Sequence, residues 1–295
     1  MKDFHSGYTA ILGKPNAGKS TLLNSLINFT LSAVTSKPQT TRNKILGILN
    51  GENFQAIFID TPGILKPKYE LQRLMQDEIT EAIETADLFL LVVEPFEPPN
   101  QDEIKLIENI ISKPIILAIN KTDLVEKESL LPLIGQYQKF NFKEIHPISA
   151  LKRTGIDELK KSIVTTLPEG QPFYPQDQIA ERSEKFFAAE IIRESIFKYY
   201  GEEIPYSSLV EIEEFKERKI GKDYIKAVIY IERATQRAII LGKGGQAIKR
   251  LGSIARGNIE NFLGRPVFLE LFVKVKEDWR EDGKFIKEKW NLDLR

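Results

Sequence analysis

The stretch Gly13-Lys14-Pro15-Asn16-Ala17-Gly18-Lys19-Ser20-Thr21 follows the apolar run "YTAIL" and opens a segment of helical periodicity. It reads G-x-x-x-x-G-K-S, and no other feature restricts the fold as much. A glycine-rich turn between a strand and a helix aims backbone N–H groups and a helix N-terminus at one point, which makes an anion cradle. Lys19 is expected to reach the β- and γ-phosphates of a nucleotide, and the Ser20 hydroxyl to ligate Mg²⁺. The loop alone does not separate ATP from GTP.

From residue 7 to 167, short apolar strands (7–12, 45–49, 54–59, 87–93, 114–119, 144–148) alternate with helical stretches (19–28, 69–86, 100–112, 126–140, 155–167). This pattern predicts an α/β, P-loop NTPase domain: a mostly parallel sheet with helices on both faces. Asn50-Gly51 between the second and third strands reads as a hairpin, so one edge strand is expected to be antiparallel.

Three further motifs each follow a strand at the edge where open α/β sheets bind ligands. Asp60-Thr61-Pro62-Gly63 ends "AIFID"; the Asp60 carboxylate can hold Mg²⁺ through water, and the Gly63 amide can sense a γ-phosphate. Asn120-Lys121-Thr122-Asp123 follows "PIILAI". A carboxylate there accepts both N1–H and N2–H of guanine, a donor pair that adenine lacks. Asn120 can brace the loop against the P-loop, and the Lys121 stem can lie over the base. Ser149-Ala150-Leu151 can offer a backbone N–H to guanine O6. Each motif has an ordinary reading as a turn or helix cap; their order and spacing together specify a guanine nucleotide.

Between the P-loop and Asp60, the polar stretch 32–47 offers a hydroxyl that can join the Mg²⁺ shell when γ-phosphate is present, ordering the loop as a switch. Thr41 is favoured, with Thr40 next. Many Ras-like GTPases carry glutamine directly after the D-x-x-G glycine to orient water. Here Ile64 stands there and cannot hydrogen-bond water, so slow unaided hydrolysis is expected. Asn16 is expected to bind a monovalent cation, K⁺, that supplies the missing positive charge.

Composition narrows the chemistry further. The 295 residues, 42% hydrophobic and 28% charged, suit two globular domains. There is no cysteine and there are two histidines, which removes thiol nucleophiles, thiolate zinc sites and disulfides and fits a reducing compartment. The N-terminal residues carry no signal-peptide pattern, and the longest apolar runs are too short to span a bilayer.

Residues 167–179, "LPEGQPFYPQDQI", read as a semi-rigid linker, dividing a nucleotide-binding domain (1–170) and linker (171–180) from a second domain (181–295). That domain is expected to hold a helix at 181–200, strands at 206–214 and 223–233, a helix–loop–helix, a strand at 266–275, and a helix from 277 to 290. On the third strand Val267, Leu269, Leu271, Val273 and Val275 alternate toward a core. Gly242-Lys243-Gly244-Gly245 has no following Ser/Thr for a metal; as a G-x-x-G loop between helices it resembles the clamp of KH domains, which holds about four single-stranded nucleotides. Ile248, Leu251, Ala255, Ile259 and Phe262 recur at helical spacing, leaving Lys249, Arg250 and Arg256 for phosphates. Residues 237–256 contain five basic residues and no acid. Tyr224, Tyr230, Phe268 and Phe272 are aromatic positions that could stack on bases, packing being the ordinary role for each.

Taken with "PQTTRNKILGI", "ISALKRTGIDEL", "SEKFFAAEIIRE" and "IILGKGGQAIKRLG", these motifs resemble the Era family of bacterial GTPases nearly end to end. The resemblance implies a GTP/GDP switch joined to a type II KH domain that binds the 3′ end of small-subunit rRNA and assists 30S assembly. It also implies cytoplasmic residence with some peripheral membrane contact; the chain is expected to act as a monomer. The family carries a hydrophobic residue at the position of Ile64. The competing readings are a metabolic P-loop enzyme with a basic accessory domain and an RNA-binding module with a merely structural GTP site.

Overall fold

A computed structural model describes residues 4–290. The chain forms two compact units. The first holds residues up to Ser32, Thr41–Lys66 and Met75–Glu181; the second holds Ala33–Thr40, Pro67–Leu74 and the chain from Arg182 onward.

In the first unit the elements run β1 (His5–Leu12), α1 (Lys19–Ile27), β2 (Ile45–Gly51), β3 (Phe54–Asp60), α2 (Glu70–Thr85, whose first turn belongs to the second unit), β4 (Leu88–Val93), α3 (Gln101–Ile110), β5 (Ile115–Ile119), α4 (Lys127–Tyr137), β6 (Glu144–Pro147) and α5 (Ile156–Thr166). The sheet order is β2-β3-β1-β4-β5-β6. All pairings are parallel except the β2–β3 hairpin. β4 is buried along its whole length, which is why it reads as an unbroken apolar run rather than an alternation. Strand order reverses between β3-β1 and β1-β4, so the crevice beyond the carboxyl end of β1 is the ligand position of such a sheet.

The proline-rich segment after α5 is fastened to this unit. The buried Gln55 amide accepts from the Phe173 and Tyr174 N–H groups (2.7 and 2.9 Å) and donates to the Tyr174 carbonyl (2.8 Å). Further along, the Ile48 N–H donates to the Ile179 carbonyl (2.9 Å).

The second unit contains α6 (Glu184–Tyr199), β7 (Leu209–Lys216), β8 (Asp223–Ile231), α7 (Ala234–Leu241), α8 (Gln246–Leu263), β9 (Val267–Val275) and α9 (Gly283–Trp290). Its sheet order is β7-β8-β9, with β7 antiparallel and β9 parallel to β8. Ile192 and Ile196 of α6, Ile225 and Ile229 of β8, and Leu251, Ala255 and Ile259 of α8 share one core. Three expectations are corrected. The last helix starts at Gly283, not 277, because Trp279 is fully buried in a single 3₁₀ turn and its indole N–H donates to the Ser207 carbonyl (2.9 Å). Val275 is exposed at the end of its strand, so the inward alternation stops at Val273. The strand expected from 206 begins at Leu209, since Ser207 and Ser208 turn back to bond the Glu203 and Pro205 carbonyls.

Candidate nucleotide and nucleic-acid sites

The loop Gly13–Thr21 lies between β1 and α1. Gly18, the N-cap of α1, makes no side-chain cap, so the first N–H groups of the helix remain available to an anion. Lys19 is buried, and its ammonium donates to the Gly13 and Lys14 carbonyls (3.0 and 2.8 Å). Burial pushes its pKa down to about 8, against the opposing pull of the Asp60 carboxylate. Asn16 is exposed at the crest of the loop with φ 65°. Gly63 lies against the P-loop: a Cβ there would sit 2.6 Å from the Pro15 backbone. The Ile64 N–H donates to the Gly13 carbonyl (3.3 Å), and its side chain packs on the apolar core. Pro62 and Ala17 are buried, and Thr61 is fixed by donating to the Ile11 carbonyl (2.7 Å).

Ser20, Thr41 and Asp60 meet at one corner. Ser20 Oγ donates to Asp60 Oδ2 (2.7 Å), and the Thr41 hydroxyl is 2.8 Å from Ser20 Oγ and 3.5 Å from Asp60 Oδ2. Asp60 is fully buried, and its Oδ1 has no hydrogen-bond partner among the described residues. Burial raises the Asp60 pKa; the Ser20 hydrogen bond and the Lys19 charge act the other way. Two hydroxyls beside a buried carboxylate that keeps one unpartnered oxygen are hard oxygen donors of the kind that suit Mg²⁺. Of the two candidate threonines, Thr41 is at this corner; Thr40 instead bonds Thr35 Oγ1 (2.6 Å) and the Lys37 carbonyl (2.8 Å).

Beyond β5, Asn120 is buried; its Nδ2 donates to the Ala17 carbonyl (2.9 Å) and its Oδ1 accepts from the Ala150 N–H (2.9 Å). Lys121 has φ 63°, and a short 3₁₀ turn, Thr122–Leu124, follows. Exposed Asp123 accepts from Ser149 Oγ (2.6 Å), while the same Ser149 oxygen accepts from the Lys152 N–H (3.1 Å). Because Ala150 donates to Asn120, a bond from that amide to guanine O6 requires sharing or release. Leu151 is exposed beside it.

Sequence motifs do not reveal two acids of this site. Glu94, at the end of β4, ion-pairs with Lys121, and Glu103 on α3 pairs with Lys14 (3.2 Å). With Ala17 and Phe96 they line a cavity of about 250 Å³ beside the P-loop. The apolar strand that ends in Glu94 is the sole sequence signal pointing to either.

In the second unit, Gly242, Gly244 and Gly245 have φ 66°, 58° and 75°. A Cβ would meet nothing at Gly244 or Gly245, so these two are glycines for their left-handed backbone, whereas at Gly242 it would strike Ala247. Lys243, Lys249, Arg250 and Arg256 are all exposed, with Arg250 lying over the Tyr199 ring (5.8 Å). Ile248 is half-buried against the core, and Phe262 packs on the Phe187 ring (5.1 Å). Tyr230 is buried and so is no stacking surface, its ring edge-on to Phe285 (5.1 Å).

Comparison with known proteins adds three findings. A profile described as a 50S ribosome-binding GTPase matches residues 8–121, and a KH domain profile matches residues 203–280. The chain is 42% identical over 287 residues to the GTPase Era of Ruminiclostridium cellulolyticum, covering 96% of each, and 44% identical over 289 residues to that of Syntrophus aciditrophicus, covering 97% and 94%. Among solved structures it is similar to an Aquifex aeolicus Era variant bound to GDP·AlF4⁻ and to Era in complex with MgGDPNP and nucleotides 1506–1542 of 16S ribosomal RNA. Each has a TM-score of 0.93 at 40% identity, covering 97% of this chain and 99% or 98% of the other.

Proposed function

This chain belongs to the Era family of GTPases, and we propose that it is a switch whose KH domain holds the 3′ end of small-subunit 16S rRNA while the 30S subunit matures. The observation that carries this reading is the coexistence, in one chain, of a guanine-reading loop tied to a phosphate loop and a G-x-x-G loop with exposed cations. A relative at 40% identity, bound to MgGDPNP and a 16S rRNA fragment, supports the assignment of partner.

In this reading the P-loop residues Gly13–Thr21 wrap the phosphates, and Lys19 exchanges its two carbonyl partners for β- and γ-phosphate oxygens. Ser20, Thr41 and Asp60 would hold Mg²⁺, which would supply positive charge against the phosphates. Asp123 takes guanine N1–H and N2–H in its carboxylate. Glu94 anchors the Lys121 ammonium, so that the lysine stem is held over the base. The Gly63 N–H senses the γ-phosphate from its seat against Pro15.

Hydrolysis transfers the γ-phosphoryl to water, giving GDP and phosphate. Ile64 is turned into the core and offers the water nothing, so the intrinsic rate is slow. Asn16, exposed on the phosphate loop, would help hold a K⁺ ion, which would supply positive charge against that developing on the GDP leaving group. On the KH side, Lys243, Lys249, Arg250 and Arg256 neutralise RNA phosphates while the glycine backbone approaches the sugar chain. In the same reading the chain acts as a cytoplasmic monomer with peripheral membrane contact. Nucleotide competition tests the core of the proposal: GTP and GDP displace a fluorescent guanine nucleotide and ATP does not. Equal displacement by ATP refutes it.

A further inference from the structure

The three-stranded sheet has two unlike faces. Ile225, Ala227, Ile229, Leu269 and Leu271 pack into the helix-covered core. Strand alternation turns Tyr224, Lys226, Phe268 and Phe272 to the opposite face. At one end of that face α9 provides cover: Phe285 packs on Tyr230, and Lys289 bonds Glu211 (3.0 Å). At the other end the aromatics stand open. Phe268 is 50% and Phe272 44% exposed.

These rings are arranged, not scattered. Register places Lys216, Tyr224 and Phe268 side by side across β7, β8 and β9. The Tyr224 and Phe268 rings are stacked, 6.1 Å between centroids and 15° from parallel. Lysine ammonium groups lie over two of the rings: Lys216 at 5.7 Å from Tyr224, and Lys226 at 5.4 Å from Phe272, which is further along β9 opposite Val228. The β7–β8 hairpin beside them exposes Arg218, Lys219 and Lys222, and Ile220 at its tip is 92% exposed.

We propose that this face is a second RNA-binding surface, a stacking platform for unpaired bases of the strand that leaves the G-x-x-G clamp. The proposal rests on the KH reading of that clamp. Open aromatic rings on a sheet accept bases of any sequence through their π-faces, and cations beside them take the phosphates. A bare apolar patch would suit a protein partner; here cations over the rings and on the hairpin give the surface the chemistry of an anionic, flat-ringed ligand. Glu213 and Glu214 pair with Lys226 and Lys216, so the lysines are held in place over the rings until phosphate competes for them. The path is available: β9 is an edge strand, and α8 runs 18 residues, about 27 Å, from the clamp to the end of the sheet where Phe268 lies.

Length of RNA separates the two surfaces. An oligonucleotide of about four nucleotides fills the clamp alone, and one of about sixteen can also reach the platform. In the full chain, Phe268→Ala with Phe272→Ala should weaken the longer RNA by about tenfold or more and leave the shorter one unchanged. The paired leucine variants, which keep apolar bulk, should behave like alanine, and tryptophan should restore affinity; thermal melts check that each variant folds. Unchanged affinity for the longer RNA in a folded alanine variant overturns the proposal, as does a defect confined to binding a protein. Lys243→Glu should weaken both RNAs; if it weakens neither, the clamp reading fails and takes the platform with it.

Discussion

Asn120 Nδ2 donates to the Ala17 carbonyl across 2.9 Å, joining the Asn120–Asp123 loop to the glycine-rich loop Gly13–Thr21. Its Oδ1 takes the Ala150 N–H at the same distance, so one buried amide fixes three loops. Asn120→Ala leaves a buried carbonyl and a buried N–H unsatisfied, at about 1–3 kcal/mol each. The nucleotide-free protein should melt at lower temperature and bind GDP about tenfold to a hundredfold more weakly. Melting curves and titration check both.

Asp123 is exposed, and the bond its carboxylate accepts from the buried Ser149 Oγ can also be accepted by an asparagine amide oxygen. Asp123→Asn should therefore fold normally yet lose preference for GTP over xanthosine triphosphate, because the amide places a donor where guanine also donates. A retained preference for guanine, measured by competition, speaks against the assignment.

Lys19 gives a pH dependence. Its free-state pKa is near 8, while the β-phosphate charge stabilises the ammonium and raises the bound-state value. Binding then takes up a proton above that pH. GDP affinity, measured in a metal chelator so that the lysine is isolated, should be level below about pH 8 and fall by up to about tenfold per unit above it. Lys19→Arg, charged throughout, should bind more weakly but show no such fall between pH 7 and 8.5, below the titration of guanine itself. A parallel fall in both proteins contradicts the prediction.

The parts of this molecule that were legible in the sequence are those whose physics is local. The strand before Gly13, the helix that starts at Lys19, and the positive-φ glycines at 242, 244 and 245 each show in a few neighbouring residues. The mostly parallel sheet followed from alternation, and its antiparallel edge from the short gap before the third strand. Asn50 and Gly51, expected as the turn, are instead paired inside β2, and the turn is Glu52-Asn53. Pairings made across the fold did not show. Glu94 meets Lys121 only because β4 and β5 are adjacent and in register, and Gln55 binds the proline-rich segment from within a strand where glutamine looks out of place. Trp279 displaced the start of the last helix because its indole is buried and bonded to Ser207, a residue far away in sequence. The sequence favoured Thr41 with Thr40 next; in the structure it is the Thr41 hydroxyl that meets Ser20 and Asp60, while Thr40 bonds Thr35 and Lys37.

If Asn16 completes a K⁺ site, GTP hydrolysis should be markedly faster in potassium than in sodium at equal ionic strength. Asn16→Ala should remove that difference while leaving GDP affinity within a few-fold. Rates that are identical in the two salts for the parent protein exclude this role for Asn16.

The switch itself is tested by the affinity of the full chain for single-stranded RNA carrying the 3′-terminal 16S sequence, with GDP, with a non-hydrolysable GTP analogue and with no nucleotide, at one fixed salt concentration. A clamp governed by the guanine site should bind more tightly with the GTP analogue than with GDP, by about fivefold or more, the lower range of coupling between two sites. The same affinity in all three states would mean that the guanine site and the G-x-x-G clamp share a chain without sharing a function.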